Sequence, residues 1–445
     1  MTASTDEAST QSGAKGSLVR AIGSLGIAVL ALNSVIGGGI FGLPPRVAEQ
    51  MGMASPWLFL LVGVLVITIV LTFAELASYF RDSGGPVLFT TKAFGPVVGF
   101  GTGWIYYISR ISAFAANASL LAAYIGSLWA PAASGVGRVA VIVAACVGLT
   151  WANYVGVKDG VRTLSVLTVL KLTPILLLIL VGLPYVSAET VIPAELPPMD
   201  GIGSTILLMM FAFVGFEATT IVSGESKDPR RSLPSALVKT TLFIAAFYFL
   251  IVLVYVAALP NIDDSQGTLV ALGEHLLGPV GAIAITLAAV FSIGGNLGAI
   301  LLAVPRLTFA LAEQRLLPAW FGRVHERYAT PGNSILFLGG AGLLLALSGS
   351  FAFLAVASAL TRLITYILSI AALPIIRRQA TEEDRERVYR LKGGYTIPIL
   401  ALAISVWVAA QSALESWLLT GGLFAIGVAL FAVARLSQRR ADGGG

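Results

Sequence analysis

Charge is scarce in this sequence. Asp, Glu, Lys and Arg make up 11% of its 445 residues and apolar side chains 57%, where a soluble domain carries about 25% charge. Too few charged groups remain to cover a water-facing surface of that size, which excludes a soluble enzyme with a membrane tail. Cysteine occurs once, at Cys146, so an internal disulfide or a cysteine-ligated cluster is ruled out. Two histidines, His275 and His325, are too few for a histidine metal site or a catalytic triad. No metal, no cofactor and no covalent catalysis are expected. The net charge of +5 suggests nucleic acid only in a soluble chain; in an apolar one the placement of basic residues says more than their sum, and no nucleic-acid partner is expected.

What the sequence holds in quantity is long apolar runs. A bilayer crossing takes about 20 apolar residues, and stretches of that kind lie at 21–46, 55–80, 95–129, 138–157, 162–186, 202–224, 235–259, 278–312, 333–349, 351–376, 396–415 and 418–435. They predict an all-α integral membrane protein of twelve transmembrane helices whose lipid partner is the bilayer. The first run is too long for a signal-peptide core and continues into further spans, so it reads as a retained helix. With the N-terminus in the cytoplasm, all but five of the 28 Lys and Arg residues fall in inner loops or tails. Arg46 and Arg138 lie outside, and Arg110, Lys171 and Arg362 within spans. Such a bias fixes orientation and places both termini in the cytoplasm, in a bacterial inner membrane or another plasma membrane. The charged stretch 377–392 reads as a solvated inner loop or a short helix.

Two spans carry signals for a break. Asn33-Ser34-Val35-Ile36-Gly37-Gly38-Gly39-Ile40-Phe41-Gly42 sets three glycines in a row near the middle of span 1, and Phe211-Ala212-Phe213-Val214-Gly215-Phe216-Glu217 sets a glycine and a carboxylate near the middle of span 6. Close packing through small residues explains glycines on one face, not three in succession; for Gly215 alone, packing serves as well as a break. At membrane depth, unwound backbone is tolerated only against protein or a water-filled cavity. The offset of five spans fits inverted repeats with a site at their interface. The half-helix beginning near Gly38 to Phe41 frees amides that suit a carboxylate, and the half-helices ending near Val35 and Val214 free carbonyls that suit an ammonium or a cation; Ser34, Ile36, Gly37 and Gly39 join them as substrate-binding candidates. A site with both takes an amino acid or a close relative.

These residues resemble the amino acid–polyamine–organocation transporter superfamily, with its leucine-transporter-like fold. The match is carried by Ile36-Gly-Gly-Gly-Ile-Phe-Gly42, by Ala74-Glu-Leu-Ala77 with Gly84-Gly-Pro86 and Ala93-Phe-Gly-Pro96, by 211–217, by 225–234 (ESKDPRRSLP), and by 306–318 with Phe321, Arg323, Val324 and His325. Each is weak alone; together they are specific. The resemblance implies a 5+5 inverted repeat with broken helices 1 and 6, a central site formed by spans 1, 3, 6, 8 and 10, two extra C-terminal helices, and alternating access. The expected division is a tail at 1–20, a first repeat at 21–186, a second at 202–376, spans 11 and 12 at 396–435 and a tail at 436–445. Pro86-Val-Leu-Phe89 departs from a tyrosine-containing run found in many members and reads as loop variation near the inner gate.

Charges inside spans are costly and therefore functional candidates. By alignment with sodium-independent members, Lys171 stands where relatives hold a sodium ion and would bond carbonyls of spans 1 and 8. It is either a proton-coupling group or a permanently charged surrogate; a depth of about 13 Å beyond Arg162, at 1.5 Å per residue, argues against snorkelling. The resemblance also turns Arg110 toward the central cavity, where either Glu217 or a substrate carboxylate is its partner. Arg362 either lines the outer vestibule or pairs with Glu217 itself. Positive charge in the spans exceeds negative, which disfavours cationic substrates. Glu75 and Glu225, near the inner ends of spans 2 and 6, read as gating residues that pair with basic loop positions. Phe211 aligns with a substrate-capping aromatic, Asn296 is a polar candidate for the cavity, and Pro305 is expected to bend span 8.

The resulting expectation is a sodium-independent amino acid transporter that works by proton symport or exchange and takes neutral or acidic side chains. A channel or a substrate-sensing receptor on the same fold is the alternative. A channel needs a continuous polar pore, and no repeated filter-like segment appears.

Overall fold

The structure, a computed structural model, describes residues 31–80, 84–156, 160–192, 199–221, 229–259, 268–383 and 388–442. Among them there are helices and no strands. In chain order the main helices are α1 (Gly39–Gly42), α2 (Pro44–Met51), α3 (Ser55–Ser78), α4 (Gly85–Phe94), α5 (Pro96–Leu128), α6 (Gly135–Val155), α7 (Gly160–Gly182), α8 (Ile202–Phe213), α9 (Glu217–Ile221) and α10 (Pro229–Ala258). They continue with α11 (Leu269–Ala303), α12 (Pro305–Glu313), α13 (Gly332–Ser348), α14 (Phe351–Gln379), α15 (Thr396–Ala410) and α16 (Leu414–Asp442). Seven helical stretches are long and apolar enough to cross a membrane, and four shorter apolar helices accompany them.

The layering follows from which helices are apolar all round. A helix buried on every side shows no polar stripe, and α5 is of this kind: it packs along α14 and α11 in the middle of the bundle, with Tyr107, Phe114 and Tyr124 fully buried. By contrast α6 and α16 are apolar yet leave Val139, Val147, Trp151, Leu418 and Val433 exposed. In water such faces would aggregate; against hydrocarbon they are satisfied, as expected of a multi-pass membrane protein. Around the centre, α3 packs on α10, α7 on α11 and α8 on α14.

Three departures from the sequence expectations have local causes. The stretch 86–89 is not a loop: Pro86 occupies the first turn of α4, where the missing N–H costs nothing, and Phe89 stacks on Phe80. The charged stretch beginning at Arg377 is not wholly solvated, because α14 runs on to Gln379 and carries Arg377 into a buried contact. The run 278–312 begins at a corner, where Gly278 takes a positive φ of 64° before Pro279. Pro305 opens α12 at its first turn, after Val304, and marks the junction with α11.

Candidate functional site

Both glycine-bearing spans are interrupted. Residues 31–35 are helical, 36–38 are bends, and α1 starts at Gly39. In the other span α8 stops at Phe213, Val214 is extended with φ −77° and ψ 152°, Gly215 has φ 123°, and α9 begins at Glu217. A φ of that sign is a glycine conformation. The two interruptions touch: a side chain at Gly215 would strike the Ser34 carbonyl, and a Cβ at Gly39 would come within 2.9 Å of the Ala212 Cα. Asn117 of α5 presses on Gly38, and Asn296 of α11 comes within 2.9 Å of a Cβ placed at Gly37. The glycine run thus serves both purposes at once, unwinding the chain and admitting its neighbours.

The freed backbone groups divide by type. On the carbonyl side, Ile36 O accepts from Lys171 Nζ at 2.6 Å, Gly37 O from the Ser292 hydroxyl at 3.2 Å and Ala212 O from the Tyr248 hydroxyl at 3.1 Å. On the amide side, no acceptor among the described residues takes the N–H groups of Gly37, Gly38 and Gly39. Buried N–H groups normally have partners, so three in a row make this a place for an acceptor.

A chamber lies against these amides, lined by Ser34, Val35, Gly37, Gly38, Gly39, Arg110, Ala113, Asn117, Phe211, Val214, Asn296 and Arg362. It is contracted, with about 20 Å³ of free space, roughly one water, so a larger occupant enters only after lining side chains move. Phe211, 7% exposed, meets Phe351 edge-on at 5.8 Å. Of the residues expected at the site, Ile36 and Glu217 do not face the chamber. Ile36 is fully buried and contributes its carbonyl to Lys171. Glu217 is fully buried one step behind the wall.

Of the two arginines considered as partners of Glu217, the structure pairs it with Arg362 and not with Arg110. Glu217 pairs with Arg362 of α14, and its Oε2 accepts from the Tyr366 hydroxyl at 2.8 Å and from the Gly215 amide at 3.0 Å. Arg362 also donates from Nε to Ser109 Oγ at 3.0 Å and lies over the Tyr106 ring at 5.1 Å. Arg110 lines the chamber instead. Lys171 is 3% exposed and donates to Asn33 Oδ1 and Ile36 O, both at 2.6 Å; both contacts belong to span 1, while α11 enters through Ser292.

A second polar cluster sits at the C-terminal end of α3. Glu75 of α3, fully buried, takes two bonds of 2.8 Å from Arg377 and one of 3.1 Å from the Leu391 amide. Arg377 donates further to Gly394 O at 2.9 Å and stacks on Tyr395 at 4.4 Å. Burial, with the Glu75 carboxylate beside it, raises the Tyr389 phenol above its ordinary range. Glu225 lies outside the described residues.

The sequence reading does not place Asn117 in the chamber. The signal is there: Arg110, Ala113 and Asn117 recur at i, i+3 and i+7, one face of α5, and an asparagine inside a span asks for a partner. It finds one in Asn296, at 3.0 Å.

Comparison with known proteins finds relatives along nearly the whole chain. The chain is 30% identical to the serine/threonine exchanger SteT of Bacillus subtilis over 93% of its own length and 95% of that protein's. It is 28% identical to the methylthioribose transporter of the same organism, covering 90% and 89% of the two chains, and 25% identical to its branched-chain amino acid permease BcaP, covering 87% and 86%. The family model described as amino acid permease matches residues 22–433. With that match across nearly its whole length, the chain belongs to the amino acid permease family, whose members are transporters and not enzymes.

Proposed function

We propose that this chain is a secondary transporter that carries amino acids across the plasma membrane by alternating access. The observation that carries the reading is the trio of amides at Gly37, Gly38 and Gly39, which have no acceptor among the described residues and open on a chamber between two broken helices. The α-carboxylate of the substrate takes these amides, and its ammonium group takes carbonyls near Ser34, Val35 and Val214. Phe211 closes over the occupant and opens to release it. Glu75, held by Arg377, forms the inner gate together with Glu225. Two five-span units at 21–186 and 202–376 rock about the site, spans at 396–435 complete twelve, and both termini lie in the cytoplasm.

Transport is sodium-independent, because the Lys171 ammonium fills the cation position against Ile36 O and Asn33. It runs by proton symport or by exchange and favours neutral or acidic side chains over cationic ones. Counterflow in proteoliposomes, screened with the twenty amino acids in sodium-free buffer, tests the reading. Saturable accumulation of a labelled amino acid against its unlabelled form is expected; failure with all twenty, or a strict need for sodium, overturns it.

A further inference from the structure

Glu217 lies behind the chamber wall with both oxygens engaged, one facing Arg362 and the other accepting from Gly215 and Tyr366. Arg362 pairs with Glu217 and donates to Ser109, its Nη2 being buried without an acceptor among the described residues. Arg110 differs in forming no ion pair among the described residues. Its side chain lines the chamber and is partly exposed to it, while its Nε is buried and has no acceptor among the described residues. A guanidinium keeps its charge, and holding one in a low-dielectric wall without an opposite charge is unfavourable. Among the described residues, Arg110, Arg362 and Lys171 stand around the site with the carboxylate of Glu217.

We propose that the chamber selects amino acids with an acidic side chain, whose second carboxylate is bound by Arg110. The proposal rests on the amino acid reading above and narrows it to a substrate class. Placement on α5 supports it. Asn117 sits against Gly38, so a carboxylate on the amides of Gly37 to Gly39 lies at the Asn117 end of the chamber. Arg110 is two helical turns closer to the N-terminal end of α5, about 10 Å along its axis. A side chain pointing away from the α-carboxylate runs toward that guanidinium. If it ends in a methyl or hydroxyl group, Arg110 stays without a counter-charge; if it ends in an ammonium, it meets Arg110 with Arg362 behind. A carboxylate supplies both the missing charge and the acceptor for bidentate bonding. The relatives described above are named for other substrates.

The test is counterflow with labelled glutamate, aspartate, glutamine, serine and leucine in proteoliposomes containing the full-length protein. The wild type is expected to take glutamate or aspartate with a half-saturation concentration at least about tenfold below that for glutamine, the amount one charge-assisted hydrogen bond provides. Arg110→Gln is expected to raise the half-saturation for the acidic substrates by a similar factor and leave glutamine unchanged or improved, while Arg110→Lys retains part of the acidic preference. Equal or better transport of neutral amino acids by the wild type overturns the selection and leaves the amino acid reading standing. So does an Arg110→Gln variant that weakens all five substrates alike. Absence of counterflow for every amino acid removes the amino acid reading and this proposal with it.

Discussion

Lys171 holds two oxygens of span 1 through one ammonium, Asn33 Oδ1 and Ile36 O. Lys171→Ala leaves both without that donor in a site that excludes water, at about 1–3 kcal/mol per buried group. If the ammonium carries the coupling proton, the variant loses the pH dependence of uptake while retaining counterflow at fixed pH. Proteoliposome uptake measured over a series of pH values checks this, and an unaltered pH profile would refute the coupling role. At this scale the sequence indicates which residues matter better than which pair forms. Arg110, Arg362 and Glu217 stand out because a charge within a span is rare. Which arginine meets the carboxylate depends on whether α5 or α14 brings its side chain to the second interruption, and no periodicity within one helix carries that information.

The interrupted spans depend on a handful of positions. Gly215 combines a positive φ with direct contact to the Ser34 carbonyl, so Gly215→Ala meets both a strained conformation, about 1–3 kcal/mol, and a backbone clash. The expected outcome is a protein that still inserts but melts at a lower temperature and loses most of its counterflow; a thermal-unfolding curve beside an uptake assay checks it. Gly294, where an added Cβ meets nothing within 4 Å, is the control: Gly294→Ala should keep both properties. Elements are the most legible level of the sequence. Apolar length locates the helices to within a few residues at 95–129, 333–349 and 351–376, since a span must satisfy its own backbone in lipid. The glycine runs mark both interruptions. The end of α14 and the helical course of α4 escape the sequence reading, because a buried arginine and a proline-led turn look like loop chemistry until the partner is known.

On the scale of the whole molecule, α14 ties the bundle together through two buried ion pairs, Arg362–Glu217 behind the chamber and Arg377–Glu75 at the C-terminal end of α14. Removing one member of such a pair strands the other and costs about 3–5 kcal/mol, so Glu217→Gln and Glu75→Gln should both lower the unfolding midpoint. They should differ in access. In a Ser34→Cys background, a membrane-permeant thiol reagent is expected to label the chamber faster with Glu75→Gln than without it. Native Cys146 stays silent in that assay at 1% exposure. Equal labelling rates would remove Glu75 from the gate. The partnership itself is not legible in the sequence, where Glu75 and Arg377 are 302 positions apart and belong to unrelated motifs.

The two ion pairs differ in where their charges go when they part. Arg377 and Glu75 adjoin a loop, so separating them hands both ions to water, which welcomes them. Arg362 and Glu217 are fully buried, and the chamber beside Arg362 has room for about one water, so little solvent follows if they separate. The bundle therefore owns a latch at its rim and a rivet at its heart, and the end that bears the latch is the one that parts at lower cost.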